Sequence, residues 1–317
     1  LRRHLIHVRL SPLIESIHFS SNAPSMGCLC FNDFIRIGFV MKVENKRVII
    51  TGSANGIGSS LSQVFREKNV ESMILVDLDQ SNNLKLANQV GGIPYKADVG
   101  NEDDIINLVE FAKQEMGGID IFCSNAGISG AGGLLSTSNE DWNAIWNVNV
   151  MSHIHAAKHA LPMMLDQGSG YFMNTASAAG LLTQLGAAGY SVTKSAAVSF
   201  AEWLKITYGE RGIGVSCLCP QGVRTPMVED APEIVGSLVS IDGLLEPDDV
   251  ANEVIECIER DQFLITPHPE VVDYMKIKVS DPDRWIAGMQ SLTKQLIEVF
   301  PDAKPMLRDL STEEESD

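Results

Sequence analysis

Short apolar runs rich in Val and Ile recur along the chain, separated by longer segments in which apolar residues return every three or four positions. The runs at 47–51 (RVIIT), 73–76, 92–96, 119–123, 170–174, 213–219 and 263–266 have the length and character of strands. Helical periodicity follows Gly58 (Ile57, Leu61, Val64, Phe65) and marks 103–116, 140–149, 150–165, 190–208 and 246–260. Breakers punctuate these segments. Asn101 is placed to cap 103–116 and Gly117-Gly118 to stop it, Pro247 falls in a first turn, and Pro162 is expected to interrupt 150–165 near its end. Strands alternating with helices predict an α/β fold: a doubly wound, seven-stranded parallel sheet with helices on both faces and ligands at the carboxyl ends of the strands.

No repeat or low-complexity linker divides residues 41–267, which read as one domain. Two further helix patterns, separated near Asp281-Pro282, form a C-terminal extension over 268–300, and 301–317 read as an acidic tail that is solvated from Ser311 onward. Residues 1–40 show no sustained period. They open on Leu and carry four Arg against two acids. They read as disordered or upstream-translated sequence before a natural start at Met41, which places the protein in the cytoplasm; a mitochondrial presequence is the alternative.

A net charge of −17 argues against nucleic acid and anionic membranes as partners, and no apolar run reaches the roughly 18–20 residues of a membrane span. The six cysteines are not spaced as a disulfide framework or a zinc site. Cys28 with Cys30 and Cys217 with Cys219 lie two apart, so they read as incidental thiols in a reducing compartment, and no metal is expected.

Two stretches carry candidate chemistry. The first is Gly52-Ser53-Ala54-Asn55-Gly56-Ile57-Gly58, lying between a strand and a helix. Glycines there let a pyrophosphate approach the backbone, and the helix N-terminus offers free N–H groups, so this is a dinucleotide phosphate site. Asp77 ends the next strand, where a carboxylate accepts from adenosine ribose hydroxyls and repels a 2′-phosphate; neither the loop nor Leu78 supplies a base to bind one. Asp98 and Val99 end the third strand, where they would flank the adenine. The expected cofactor is therefore NAD. In the second stretch Ser177 is followed 13 residues later by Tyr190 and four residues after that by Lys194. Tyr190 and Lys194 share a helix face, an ammonium one turn away is expected to lower the phenol's pKa, and Ser177 stands where its hydroxyl would bond the oxygen that Tyr190 serves. Tyr274 and Lys278 repeat the spacing, but Asp261 stands where the Ser would be, so that pair reads as an ordinary exposed helix face.

Together these motifs resemble the short-chain dehydrogenase/reductase superfamily, in its shorter single-domain branch, over roughly residues 44–266. Thr51-Gly52-x-x-x-Gly56-x-Gly58 matches that branch's cofactor turn, Asp98 its adenine-contact acid, and Asn125-Ala126-Gly127 its Asn-Asn-Ala-Gly element with Ser124 in place of the first Asn. Asn149, Ser177, Tyr190 and Lys194 match the catalytic tetrad, and Pro220, Val223 and Thr225 the positions that contact nicotinamide. The chain departs from the family at Gln221, where Gly is usual. The resemblance implies a Rossmann-type fold and hydride transfer between nicotinamide and a secondary alcohol or ketone. Tyr190 would move the proton, Lys194 would bind the nicotinamide ribose, Ser177 would orient the substrate oxygen, and Asn149 would hold a water linking Lys194 to solvent. It also implies a homodimer or homotetramer. A 3-oxoacyl reductase is the alternative within enzymes, and an NAD-binding sensor or scaffold without turnover is the alternative outside them.

The residues around the expected pocket favour a fairly apolar small-molecule substrate. Residues 128–135 and 181–184 contain no Lys or Arg, leaving Arg224 as the nearby exception, and 226–245 read as a lid whose apolar members either line the pocket or form the buried side of two short helices. His155 and His159 share a helix face at a metal-compatible spacing without an evident third ligand, so these two and His153 are expected at an interface or surface.

Overall fold

The computed structural model describes residues 41–308 apart from Ala131; residues 1–40, with Cys28 and Cys30, and the acidic stretch 309–317 lie outside the described residues. Seven strands pair in parallel throughout: β1 (Arg47–Thr51), β2 (Ser72–Val76), β3 (Ile93–Tyr95), β4 (Ile121–Ser124), β5 (Gly170–Thr175), β6 (Ile213–Leu218) and β7 (Leu264–Ile265). Their order across the sheet is β3-β2-β1-β4-β5-β6-β7. The chain winds outward from β1 to β3 and then returns to place β4 on the other side of β1. The crevice that this reversal leaves past the carboxyl ends of β1 and β4 is where such sheets bind ligands.

Alternation along the strands divides the core in two. Val48, Ile50, Met73, Leu75, Ile121 and Cys123 meet the helices α1 (Gly56–Glu67), α2 (Gln80–Val90) and α10 (Pro247–Glu259) on one face. Ile49, Ile74, Val76, Phe122 and Phe172 meet α3 (Glu102–Met116), α5 (Ser152–Gln167) and α7 (Ala188–Tyr208) on the other. The inner strands, covered on both sides, read as continuous apolar runs, whereas the edge strand β3 holds no buried residue.

Helix α2 has no counterpart in the sequence reading. Its sequence, QSNNLKLANQV, puts Leu84 in solvent and turns Asn83 inward, where the amide donates to the carbonyls of Leu75 and Tyr95 and accepts from Ser53 Oγ. The period is therefore broken at the level of hydrophobicity, although the helix has clear ends: the Asp79 carboxylate accepts from the Asn82 N–H, and Gly91 closes it at φ +68°.

Three further expectations change. Pro162 lies inside α5, which runs on to Gln167 because Ala160 and Met164 anchor it against the sheet. A π-helical turn, Asn147–Met151, joins α5 to α4 (Asn139–Trp146) where two helices had been expected to abut. Residues 301–308, assigned to the tail, form a 3₁₀ turn (Pro301–Ala303) and the short helix α13 (Lys304–Arg308), whose Met306 and Leu307 approach Gly186. Helices α11 (Glu270–Ser280) and α12 (Pro282–Val299) occupy the expected extension and part at Asp281, whose carboxylate caps α12 by accepting from the Arg284 N–H.

A partly buried ion pair closes the amino end of the sheet. Asp120 accepts from Arg47 Nε at 2.7 Å, Nη2 at 2.9 Å and the Arg47 N–H at 2.9 Å. Burial alone would raise the Asp120 carboxyl, but these bonds outweigh it and hold the group below its ordinary value. Asp120→Ala is expected to cost about 1.5–3 kcal/mol, read from urea unfolding, since it strands a charged donor. In the parent the contribution is present above the ordinary aspartate range and is lost as pH falls through the depressed folded value, and the variant should lack that acid-side loss.

Candidate active site

The carboxyl ends of β1, β4 and β5 and the segment after β6 enclose a cleft of about 530 Å³. Its floor at β1 is the glycine loop. Gly52 (φ +65°) and Gly56 (φ +51°) adopt left-handed backbone, and a Cβ on Gly52 would stand 2.8 Å from Ala126 Cα, one on Gly56 2.8 Å from Thr225 Cγ2. At Gly58 an added Cβ would run into the Gly52 carbonyl. The loop can therefore lie against its neighbours only with hydrogen at these positions. Asn55 caps α1 without a side-chain bond, and the first turn holds no acid, so the leading N–H groups face the cleft with the helix dipole behind them.

These residues fit a dinucleotide. Asp77 lines the cleft, with Oδ2 accepting from the Ala54 N–H and Oδ1 from the Asp79 N–H, both at 2.9 Å, which leaves carboxylate lone pairs for further donors. Gly52, Asn55, Gly56, Ile57, Asn125, Ala126, Gly127, Pro220, Val223 and Thr225 line the same cleft. Five expected contacts lie elsewhere. Gly58 is buried in the first turn of α1, against the Gly52 carbonyl. Ser53 is buried beneath the loop, where its N–H and hydroxyl both donate to the Val76 carbonyl and the hydroxyl also to Asn83 Oδ1. Leu78 is exposed beside the cleft, Val99 is buried, and the exposed Asp98 caps its own turn by accepting from the Gly100 N–H.

Ser177, Tyr190 and Lys194 meet on the opposite wall. Ser177 leaves β5 in an extended conformation to cap the short helix α6 (Ala178–Leu182), accepting from the Ala179 N–H at 3.1 Å. Tyr190 and Lys194 stand one turn apart on α7, with Lys194 Nζ 5.6 Å from the ring centroid. Lys194 is buried and donates to the Thr175 carbonyl at 3.0 Å. Burial pulls its ammonium down to about 8. The Tyr190 phenol lies above its ordinary value, against the lowering expected from Lys194. Burial raises that phenol and outweighs the lowering effect of Ser177, and Lys194 instead turns its ammonium to the Thr175 carbonyl.

Asn149 sits in the π-helical turn, fully buried behind Gly127. Its Nδ2 donates to the Ile128 carbonyl at 2.9 Å and its Oδ1 accepts from the Ile128 N–H at 2.9 Å, clamping the strand-end loop. A Cβ on Gly127 would stand 3.2 Å from Lys194 Nζ and 3.3 Å from Asn149 Oδ1, so Gly127 separates the two polar groups.

Two threonines that the sequence reading did not single out as site residues organise this end of the sheet. Thr51 Oγ1 accepts from the N–H groups of Asn125 and Ala126, joining β1 to β4 across the crevice. Thr175 donates through its hydroxyl to Asn125 Oδ1 and offers its carbonyl to Lys194. In sequence Thr51 stood only as the first residue of the cofactor-turn motif, and Thr175 only as a hydroxyl residue after an apolar run. Gln221, the departure from the family pattern, directs its N–H to His268 Nδ1 and donates through Nε2 to Asp242 Oδ2 at 2.9 Å.

The histidines and the second Tyr-x-x-x-Lys pair also depart from expectation. His153 and His155 are buried within the chain, and burial lowers both imidazoles, His153 to about 3. His159 meets a carboxylate that folding brings from α3, with Nε2 2.9 Å from Glu102 Oε1. Among the described residues no group of three or more His, Cys, Asp or Glu is arranged to hold a metal. Tyr274 and Lys278 are half-buried rather than exposed: the phenol donates to Asp242 Oδ1 and the ammonium to the Leu181 carbonyl. Cys123, Cys217, Cys219 and Cys257 are free and buried, and no described helix is long and apolar enough to cross a membrane.

Residues 46–234 match the short chain dehydrogenase family. The chain is 32% identical over 225 residues to a (21S)-21-acetoxyl-apo-melianone synthase of Melia azedarach, covering 68% of this chain and 83% of that protein. It is 32% identical over 199 residues to a 3-oxoacyl-[acyl-carrier-protein] reductase of Thermotoga maritima, covering 61% and 80%. The crystal structure of a short chain dehydrogenase/reductase from Burkholderia phymatum in complex with NAD superposes with a TM-score of 0.70 at 26% identity, covering 77% of this chain and 96% of that one. Fold, ordered motifs and relatives agree, and the chain belongs to the short-chain dehydrogenase/reductase family of oxidoreductases, which act on CH–OH or carbonyl groups with NAD(P).

Proposed function

We propose that this enzyme oxidises a secondary alcohol, or reduces the corresponding ketone, with NAD as its cofactor. The observation that carries this reading is the cleft itself, which sets Ser177, Tyr190 and Lys194 on one wall and the glycine loop with Asp77 on the other. A nicotinamide dinucleotide bound there supplies or accepts the hydride. Tyr190 Oη exchanges the proton with the substrate oxygen, and Ser177 Oγ bonds that oxygen and orients it. Lys194 binds the nicotinamide ribose and carries positive charge beside the phenol. Asn149 Oδ1 keeps a lone pair beyond its Ile128 bond and serves a water linking Lys194 to solvent.

Asp77 supports NAD over NADP, because a carboxylate that lines the cleft opposes a 2′-phosphate and Lys194 is, among the described residues, the one lysine or arginine lining it. The wild type should therefore reduce NAD in preference to NADP across a panel of secondary alcohols. Asp77→Ala should weaken NAD by about 10–100-fold, the equivalent of losing charged hydrogen bonds, and narrow the preference. Faster turnover with NADP than with NAD in the wild type would overturn the assignment.

A 3-oxoacyl reductase finds support in the likeness to the Thermotoga maritima protein. It is disfavoured because Arg224, the nearby exposed base, lies outside the cleft lining and is paired with Glu246 at 2.8 Å. A homo-oligomer is supported by Val192, Trp203 and Ile206, large apolar residues exposed along α7.

A further inference from the structure

A second cavity, of about 290 Å³, opens beside Ser177. Ser177, Gln184, Gln221 and Val239 line both it and the cleft, so the two spaces meet at the proposed substrate hydroxyl. Its far wall comes from the extension: Tyr274 on α11 and Trp285, Met289 and Leu292 on α12. That wall lies beyond residue 234, where the family match ends.

The wall is built for an apolar occupant. Trp285, Met289 and Leu292 follow one another at four and three residues on a single helix face. They point into the chamber yet stay half-buried, and no residue of α12 is fully buried. Three polar tips near the chamber are engaged by the protein, while Gln221 Oε1 is buried without a hydrogen-bond partner among the described residues. Tyr274 Oη donates to Asp242 Oδ1 at 3.0 Å, Gln221 Nε2 donates to Asp242 Oδ2, and Lys278 Nζ reaches the Leu181 carbonyl at 2.7 Å. These bonds tie the extension to the segment after β6 and to α6. Among the described residues, the chamber lining contains no Lys, Arg, Asp, Glu or His.

We propose that the chamber holds an apolar arm of the substrate: a secondary alcohol or ketone bearing an uncharged chain or ring system of on the order of ten carbons, at about 30 Å³ for each water-sized group. This rests on the reading of the cleft as the alcohol-oxidising site. The reacting carbon sits between Ser177 and Tyr190, and the arm runs past Gln184 and Val239 toward α12.

The test uses the full chain with NAD and a homologous series from 2-butanone to 2-dodecanone. Binding is followed by calorimetry, and turnover of the matching 2-alkanols is measured in parallel. Ketone affinity should climb by about fourfold per methylene, the equivalent of burying one CH₂, and level off once the chamber is full. Met289→Trp fills the chamber and should weaken 2-decanone at least tenfold while leaving 2-butanone unchanged; Leu292→Trp, one turn on, should do the same. A flat series in the wild type, or the same climb in both variants, overturns the chamber even if Tyr190-dependent turnover of 2-butanol shows that the alcohol-oxidising reading holds. Rising ketone affinity that both variants abolish, with no turnover of any alkanol, leaves the chamber standing and overturns the alcohol-oxidising reading instead.

Discussion

Tyr190→Phe is expected to lower kcat for secondary-alcohol oxidation by about 10²–10⁴-fold, the range for loss of a positioned proton-transfer group, while NAD binding followed by calorimetry stays intact. Only the hydroxyl is removed, and the ring that packs under Lys194 remains. The pH dependence follows from the direction of the shift. Burial holds the Tyr190 phenol above its ordinary value, so the proton stays on at neutral pH. Oxidation needs the phenolate as base, and its kcat/KM should therefore rise with pH through the alkaline range. Reduction needs the phenol as acid, and its kcat/KM should hold across neutrality and fall only at high pH. The Phe variant should show neither limb. A Phe variant with wild-type kcat would remove Tyr190 from the reaction.

Gly58→Ala should damage both cofactor binding and the fold. A Cβ at this position would occupy the space of the Gly52 carbonyl and stand 2.8 Å from Asn125 Nδ2, so α1 must move away from the loop it follows. Forcing an extra carbon into a packed site costs about 1–3 kcal/mol, and the displaced N-terminal turn should also weaken NAD by more than about tenfold, since that turn's N–H groups are the proposed anion site. Gly236→Ala is the control: it too lies in a helix, α9 (Glu233–Val239), and nothing lies within 4 Å of its added Cβ. It should bind NAD as the parent does and unfold at an equal or higher urea concentration. Equal NAD affinity in the two variants would show that the close approach at Gly58 does not shape the site.

The apolar residues of 226–245 show how far patterning can be read. Sequence left open whether they line the pocket or form the buried side of two short helices; folding gives most of them to the pockets and buries Ile234 alone on the helices. Helices α8 (Pro226–Glu229) and α9 form there. Met227, Val228 and Val235 line the cleft, Leu238 and Ile241 line the second chamber, Val239 borders both, and Ile234 is buried. Hydrophobicity states that such side chains avoid water. It does not state which neighbour covers them.

Asp242 makes the same point with a polar group. It accepts from Gln221 and Tyr274, residues 21 and 32 positions away. No local spacing relates the three, and the Tyr274–Lys278 pair therefore read as exposed surface. Asn83 is the converse case, a buried amide in a helix that hydrophobic periodicity passes over because its inward face is partly polar.

What the sequence determined by itself was the information carried by short-range order: seven strands, the glycine turn before α1, and the four-residue step from Tyr190 to Lys194. Each is set by backbone geometry within a few residues, so each can be read without knowing what packs against it. Tertiary structure alone decided the rest: the Thr51 and Thr175 bonds across strand ends, the inward turn of Ser53, and the chamber walled by Trp285 and Met289. It also decided that burial, rather than Lys194, dominates the Tyr190 phenol. These depend on which distant segments meet and how much water they exclude, and desolvation is a property of the assembled fold that no single stretch of chain carries.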